Sequence, residues 1–374
     1  MAGLPPSSLL NAPWATAPVT VDWVAPRHAH RLRRDWERLA AEAAEPNPFF
    51  EPFALLAAFD HLGSLGDTAL LTIREGARLI GLLPVERRPR VPGLPWAALR
   101  TFRHRHCYLG APLVAADRTG AALGKILDEV QRTAGGDGTL DLPLMPADGP
   151  LASAFRAAVA AAGRPVFEMG RFERAFYRAG AEPSPSAETD RRLRQLSRRL
   201  ATLGDVSFVT DDRADSPLVS AFYELEVRGW KGRAGTAIAQ SAGDQAYFGD
   251  LLAGAAAQGR LVVQALCAAG RPVAVNVNLR VGDGIVALKT AFDERHGKCS
   301  PGFLAEHQTL RWLAGDGRTA WLDTCAAPDQ SMVNRTYRGR RAFGQVLVGP
   351  SGLAGRTLAR LWPIAREVRR HFTR

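Results

Sequence analysis

One pattern occurs twice along this chain, and it restricts the architecture more than any single residue does. In the first half, Leu32, Trp36 and Leu39 recur at helical spacing. Prolines at 46, 48 and 52 break that helix, and a second one is expected from Phe53 to Leu62. A hairpin pattern follows, with Ala69–Ile73 as one strand, Glu75-Gly76 at the turn and Leu79–Val85 as the other. The second half repeats the grammar: helices at about 216–229 and 244–258, a strand from Leu261 to Leu266, a turn at Gly270, and strands over 272–280 and 285–292. Aligning Leu79-Ile80-Gly81 with Pro272-Val273-Ala274 gives an offset of 193 in a chain of 374 residues. Two copies of one α/β unit account for this.

Length alone favours two domains. A hydrophobic content of 46% with 23% charged residues describes a globular protein. The net charge of +11 is spread along the chain without interleaved aromatics, so nucleic acid is not expected as the principal ligand. Cys107, Cys267, Cys299 and Cys325 form no CxxC and pair with no histidine. No metal site is therefore expected, and the thiols suit a reducing cytoplasm. Residues 1–20, with Pro5, Pro6, Pro13 and Pro18, read as a loose arm rather than a signal peptide. No apolar run approaches the ~20 residues of a membrane span. The stretch Gly180 to Glu188 reads as a linker, and the arginines from Arg191 to Arg199 as a solvated helix face. The basic segment 354–374, interrupted by Pro363, is expected to be a terminal helix packed on its own domain; peripheral contact with an anionic membrane is the alternative.

Only four of the 48 basic residues are lysines, and three of them, Lys231, Lys289 and Lys298, fall in motif-like strings. Alternation along 272–280 places Val273, Val275, Val277 and Leu279 on one face and Ala274, Asn276, Asn278 and Arg280 on the other. Along 285–293, Lys289 shares a face with Ala287, Ala291 and Asp293. A turn at Gly282-Asp283 would set Asn276 opposite Lys289, and one at Asp283-Gly284 would set Asn278 there. A lysine inside an apolar sheet needs a partner, either a salt bridge or a substrate.

The strand feeds Asp293-Glu294-Arg295-His296-Gly297-Lys298-Cys299-Ser300-Pro301-Gly302 and then a helix. Ser300 suits the N-cap and Pro301 the first helical position. With Gly302 leaving the first amides approachable and Arg295 and Lys298 nearby, the segment is expected to hold a phosphate or diphosphate. Neither GxxxxGK[ST] nor GxGxxG occurs. Downstream stand a strand at Thr319–Asp323, then Asn334, Tyr337, Phe343-Gly344 and a closing strand, Val346–Val348. Tyr337 suits either core packing or proton donation.

Glu226-Val227-Arg228-Gly229-Trp230-Lys231-Gly232, Lys289-Thr290-Ala291-Phe292-Asp293-Glu294 and Ser300-Pro301-Gly302 together resemble the GNAT superfamily of acyl-CoA-dependent N-acyltransferases. Within it they resemble the CelD-like, exopolysaccharide-associated double-domain branch, which is related to Fem-type peptidyltransferases. The resemblance implies an α/β (α+β) fold of two tandem GNAT-like domains, each a mixed, largely antiparallel sheet flanked by helices. Their expected bounds are 21–180 on the acceptor side and 181–350 for transfer, with a basic helix at 351–374. It also implies an acetyl-CoA or other acyl-CoA co-substrate and no metal. The acceptor would be an amine on a small molecule, glycan or peptide; a Fem-like reaction with aminoacyl-tRNA and a non-catalytic binding protein are the alternatives. By the same resemblance, Thr290, Ala291 and Phe292 would hold the thioester, and Arg295, Lys298, Ser300, Pro301 and Gly302 the diphosphate. Tyr337 would protonate the departing thiolate, Glu226 or Asp293 would act as base, and Lys289 or Lys231 would meet an anionic substrate or developing charge. Trp230, Asn276 and Asn278 would complete the substrate site.

Overall fold

The structure, a computed structural model, describes residues 17–63, 66–88, 98–133, 138–181 and 185–372. The expected arm, up to residue 16, and Pro183 of the expected linker lie outside these. The first half runs β1 (Val19–Val24), α1 (Arg33–Ala41), α2 (Pro52–His61), β2 (Thr68–Glu75), β3 (Arg78–Arg88), β4 (Ala98–Thr101), β5 (Leu113–Val114), α3 (Thr119–Thr133), β6 (Thr139–Pro146), α4 (Gly149–Ala161) and β7 (Val166–Arg178). The second runs α5 (Ala187–Ala201), β8 (Val206–Asp211), α6 (Pro217–Arg228), α7 (Trp230–Arg233), α8 (Ala242–Ala257), β9 (Leu261–Ala268), β10 (Arg271–Val281), β11 (Gly284–Phe292), α9 (Pro301–Asp316), β12 (Trp321–Asp323), α10 (Ser331–Thr336), β13 (Arg340–Val348) and α11 (Gly352–Phe372).

The fold is mixed α/β, with one large, mostly antiparallel sheet flanked by helices. The repeat seen in the sequence is a repeat in space: β2 and β9 start 193 residues apart, and so do β3 and β10. Strands β2 and β3 form one antiparallel hairpin, and β9 and β10 the other. Local sequence explains the pieces. Helix α1 turns Trp36 and Leu39 inward, and the Trp36 indole donates to the Phe50 carbonyl at 2.8 Å. Gly282, at φ +58°, supplies the left-handed turn residue that joins β10 to β11.

The strand order is β1-β2-β3-β4-β6-β13-β7-β12-β11-β10-β9-β8. Strand β13 comes from beyond residue 181, yet it lies between β6 and β7 and pairs with both. The far end of β7 in turn pairs with β12, Phe176 facing Asp323 and Arg178 facing Trp321. The two halves therefore exchange strands, and the expected boundary at 180/181 runs through a continuous sheet. The main core is also continuous, joining Phe53 and Leu55 of α2 to Tyr247 and Leu251 of α8. Helix α11 packs through Leu358 against Phe167 and Leu347, with the Trp362 ring 4.6 Å from that of Phe167. It continues past Pro363, where the sequence suggested a break. Among the described residues, no helix is long and apolar enough to cross a membrane.

Candidate active site

Two features of β11 create the site. Strand β12 pairs with it in parallel only over Gly284–Val286, so beyond that point the side of β11 facing away from β10 has no strand partner among the described residues. The two strands part there, and Tyr337, Ile285 and Leu322 pack at the fork. The second feature is a register shift: Asn278 faces Ala287 but Val277 faces Lys289, which makes Leu288 a bulged extra residue.

The bulge corrects the reading of the faces. The turn does fall at Gly282-Asp283, but the extra residue puts Lys289 opposite Val277, not beside an asparagine. Asn276 and Asn278 lie on the other face, buried against α9. The Asn276 amide donates to Thr309 Oγ1 at 3.2 Å, and the Asn278 amide to Gln264 Oε1 at 3.3 Å. They belong to a polar network under α9, and their place as substrate contacts is withdrawn.

On the face that holds Lys289, the first half of the chain contributes directly. The loop between β4 and β5 crosses to the second half, held where Gly110 approaches Pro143 so closely that a Cβ would lie 2.0 Å from its carbonyl oxygen. From this loop the Tyr108 hydroxyl accepts a hydrogen bond from Lys289 Nζ at 2.8 Å. The Arg105 guanidinium and the His106 ring meet Asp244 of α8 at 2.7 and 3.0 Å. The His106 ring stacks on Tyr247, interplanar angle 7°. Arg174 of β7 pairs with Asp323 of β12 and donates to the Tyr108 carbonyl. Burial lowers the Lys289 pKa, opposed by the charges of Glu226 and Asp244. None of the partner residues Tyr108, Arg105, His106 or Asp244 was picked out from the sequence. The signal available was the run Arg103-His104-Arg105-His106, too polar for an ordinary connection between two short strands.

Next to this cluster, a slot of about 20 Å³ is lined by Glu226, Trp230, Lys231, Thr290, Ala291 and Phe292, with Leu225, Gly229 and Glu294. All six of the first group were picked out in the sequence, and the fold brings them together. Lys231 Nζ is 2.7 Å from Glu226 Oε1, while Glu226 Oε2 accepts from the Ile238 amide at 2.8 Å. Glu294 accepts from the Trp230 amide and from Arg233. With both oxygens engaged, Glu226 positions Lys231 and does not stand free as a base. Asp293 is likewise taken: both its oxygens accept from Arg295, which holds its pKa below the ordinary value.

The expected diphosphate segment is split. Arg295 turns away with His296 to line an open groove of about 770 Å³ beside Arg228 and Arg271. Lys298 is exposed, and its carbonyl accepts from Arg199 of α5. Ser300 does not cap α9 with its side chain; it takes a left-handed conformation, φ +47°, and its hydroxyl points back to the Gly297 carbonyl. Pro301 is buried, and a Cβ on Gly302 would press on Phe292 and Met332. Among the described residues, the Gly302 and Phe303 amides have no hydrogen-bond acceptor, so two donors remain at this helix start. Under α9, the Tyr337 hydroxyl donates to Glu306 Oε2 at 2.7 Å, and Thr290 Oγ1 lies 3.4 Å from Glu306 Oε1. Burial raises the Glu306 pKa.

Three histidines give the molecule a pH signature. Burial, with His106 and Arg103 adding, brings His104 down to about 3. Burial and Lys289 bring His106 to about 4 against the pull of Asp244, and burial with Arg311 brings His307 to about 4. An unfolded histidine titrates near ~6.5. The folded state thus stays neutral while the unfolded chain takes up protons, and stability is full above that value and lost as pH falls toward 4. Each histidine adds a slope of up to ~1.4 kcal/mol per pH unit. Urea denaturation at pH 7.5, 6 and 5 should show this steep loss, and His106→Gln should flatten it; equal midpoints throughout would refute the burial of neutral histidines.

Residues 187–330 match the acetyltransferase (GNAT) domain family. The GNAT-type match covers β8 to β12, the segment that carries the forked strand and the slot. No curated protein matches the chain. Among solved structures, the chain is similar to the C-terminal domain of a lysylphosphatidylglycerol synthetase from Agrobacterium fabrum, with 12% identity, TM-score 0.53 and coverage of 89% of this chain and 95% of that one. It is similar to L-PGS from Bacillus licheniformis at 13% identity, TM-score 0.50, with 87% and 98% covered. It is also similar to FemX at 11% identity, TM-score 0.52, with 88% and 98% covered. At these identities the likeness is one of fold.

Proposed function

We propose that the protein is an N-acyltransferase that moves an acyl group, acetyl in the simplest case, from a coenzyme A thioester to an amine. The observation that carries this reading is the unpaired side of β11 beyond Val286, which opens next to the slot lined by Trp230, Lys231 and Thr290. A coenzyme A thioester supplies an activated acyl group. The residues present fit such a carrier: free backbone groups between Ala287 and Phe292 for its amide-rich arm, and the two acceptor-less amides at Gly302 and Phe303, with Lys298 close by in the chain, for its diphosphate. Backbone N–H groups of β11 aimed into the fork would stabilise negative charge developing on the carbonyl oxygen.

In this reading Tyr337 returns a proton to the departing thiolate. It sits at the fork, and the buried carboxyl of Glu306, with its raised pKa, can replace the proton that Tyr337 gives up. Tyr337→Phe should lower kcat by about 100-fold with donor affinity unchanged, as read by thiol release and by calorimetric titration with coenzyme A. An unaltered kcat would place the acid elsewhere. The reading as a whole is tested by native mass spectrometry and titration of the purified protein with acetyl-CoA, followed by thiol release across an amine panel. No binding and no turnover would end it. The exposed arginines of α5 support a second reading, transfer from aminoacyl-tRNA. Binding of tRNA without binding of coenzyme A would decide for it.

A further inference from the structure

We infer that the acceptor amine carries an anionic group, a carboxylate or a phosphate, which docks on the Lys289 ammonium and the Tyr108 hydroxyl where the two halves of the chain meet. This names the substrate class of the transfer site proposed above and rests on that reading. The cations at this junction include Arg105, Arg174, Lys231 and Lys289, with Arg103 donating to the Cys107 carbonyl. The first three each have a carboxylate within salt-bridge distance, in Asp244, Asp323 and Glu226 respectively. Lys289 is the exception. Its ammonium bonds to the neutral Tyr108 hydroxyl at 2.8 Å, and among the described residues no carboxylate lies within 4 Å of it.

The two carboxylates that act on Lys289 from further away, Glu226 and Asp244, are already held by cations of their own. The nearby rings of His104 and His106 stay neutral and add no charge to the count. Among the described residues the junction therefore carries more positive charge than negative. A half-buried ammonium without a counter-ion is costly, and a ligand anion supplies the missing charge. Tyr108 adds direction. Its oxygen accepts from Lys289, which leaves its O–H proton to be donated to the same anion, and the ring is held edge-on by Phe49 at 5.6 Å between centroids. Lys231 cannot take this role, because Glu226 occupies it.

The distance to the reacting centre fixes the size of the acceptor. Ala291, two positions beyond Lys289 on the same face of β11, lines the slot. Two strand residues span roughly 7 Å. The anion and the amine are thus only a few bonds apart, as in an amino acid or an amino-sugar phosphate, and not at opposite ends of a long chain.

The test uses matched pairs with the full-length protein: L-alanine against L-alaninamide, and glucosamine 6-phosphate against glucosamine. Binding is measured by calorimetry with coenzyme A present, and turnover by thiol release. For at least one pair, the anionic member should bind at least 10-fold more tightly. Lys289→Gln should abolish that preference, Lys289→Arg should retain part of it, and Tyr108→Phe should weaken it. A preference in the first pair alone identifies a carboxylate, and in the second alone a phosphate. Equal binding of charged and neutral members in both pairs, or a preference that survives Lys289→Gln in a folded variant, overturns the inference. Coenzyme A titrated alone reports separately on the transferase reading, so the loss of one does not conceal the loss of the other.

Discussion

A chain that starts at Ala181 should not fold. The family match begins at residue 187, which makes such a fragment the obvious one to produce. Without β7, however, β12 and β13 each lose a hydrogen-bonding partner, and β13 loses β6 as well. Two strands, one of nine residues, would present unpaired edges. Helix α8 would also lose α2, including the approach of Gly254 to Phe53 and the ion pair between Arg260 and Glu51 at 2.8 Å. The expected result is insoluble or molten material, with no cooperative transition by circular dichroism. A cooperative unfolding curve from residues 181–374 would show that the exchanged strands are dispensable.

Arg174→Met should destabilise the whole protein by ~3–5 kcal/mol, the usual cost of stripping one partner from a buried ion pair. The Arg174 side chain is 3% exposed and that of Asp323 5%. The guanidinium also lies 3.8 Å from the centre of the Phe343 ring and donates to the Tyr108 carbonyl. Its loss thus leaves a carboxylate buried with little beyond the Cys325 amide, and it loosens the loop that presents Tyr108. In thermal unfolding the expected loss is roughly 5 °C. Arg174→Met with Asp323→Asn should recover much of it, since no charge is then stranded. A single variant that melts like the parent would mean that the pair is not shielded from water.

The second half was largely legible in advance, because its hairpin follows simple rules. Val275, Val277 and Leu279 alternate with Asn276, Asn278 and Arg280, and β10 faces the core as that alternation requires. The lysine strings around Trp230 and Lys289 also named residues that the fold gathers, since Glu226, Trp230, Lys231 and Thr290 to Phe292 line one slot. Three things were not legible. Leu288 looks like any strand residue, and nothing in its neighbours marks it as a bulge. Strand β7 alternates visibly, with Phe167, Met169 and charged residues between, but its pairing with two strands more than 140 positions away depends on the finished sheet. Tyr108 reads as part of a polar connection, and its meaning comes only from meeting Lys289, 181 positions along the chain. Local pattern specifies elements; the contacts that make chemistry are long-range.

Because Leu288 is surplus to its ladder, every side chain after it is turned to the opposite compartment from the one a simple count would give. Deleting that one position would close the bulge and leave the ammonium opposite Val277, in the compartment it already occupies, with the threonine still facing α9. The lysine's compartment is thus set by its distance from Phe292 and not by its distance from the turn, so alignments of this strand are best anchored at Phe292 and counted backwards.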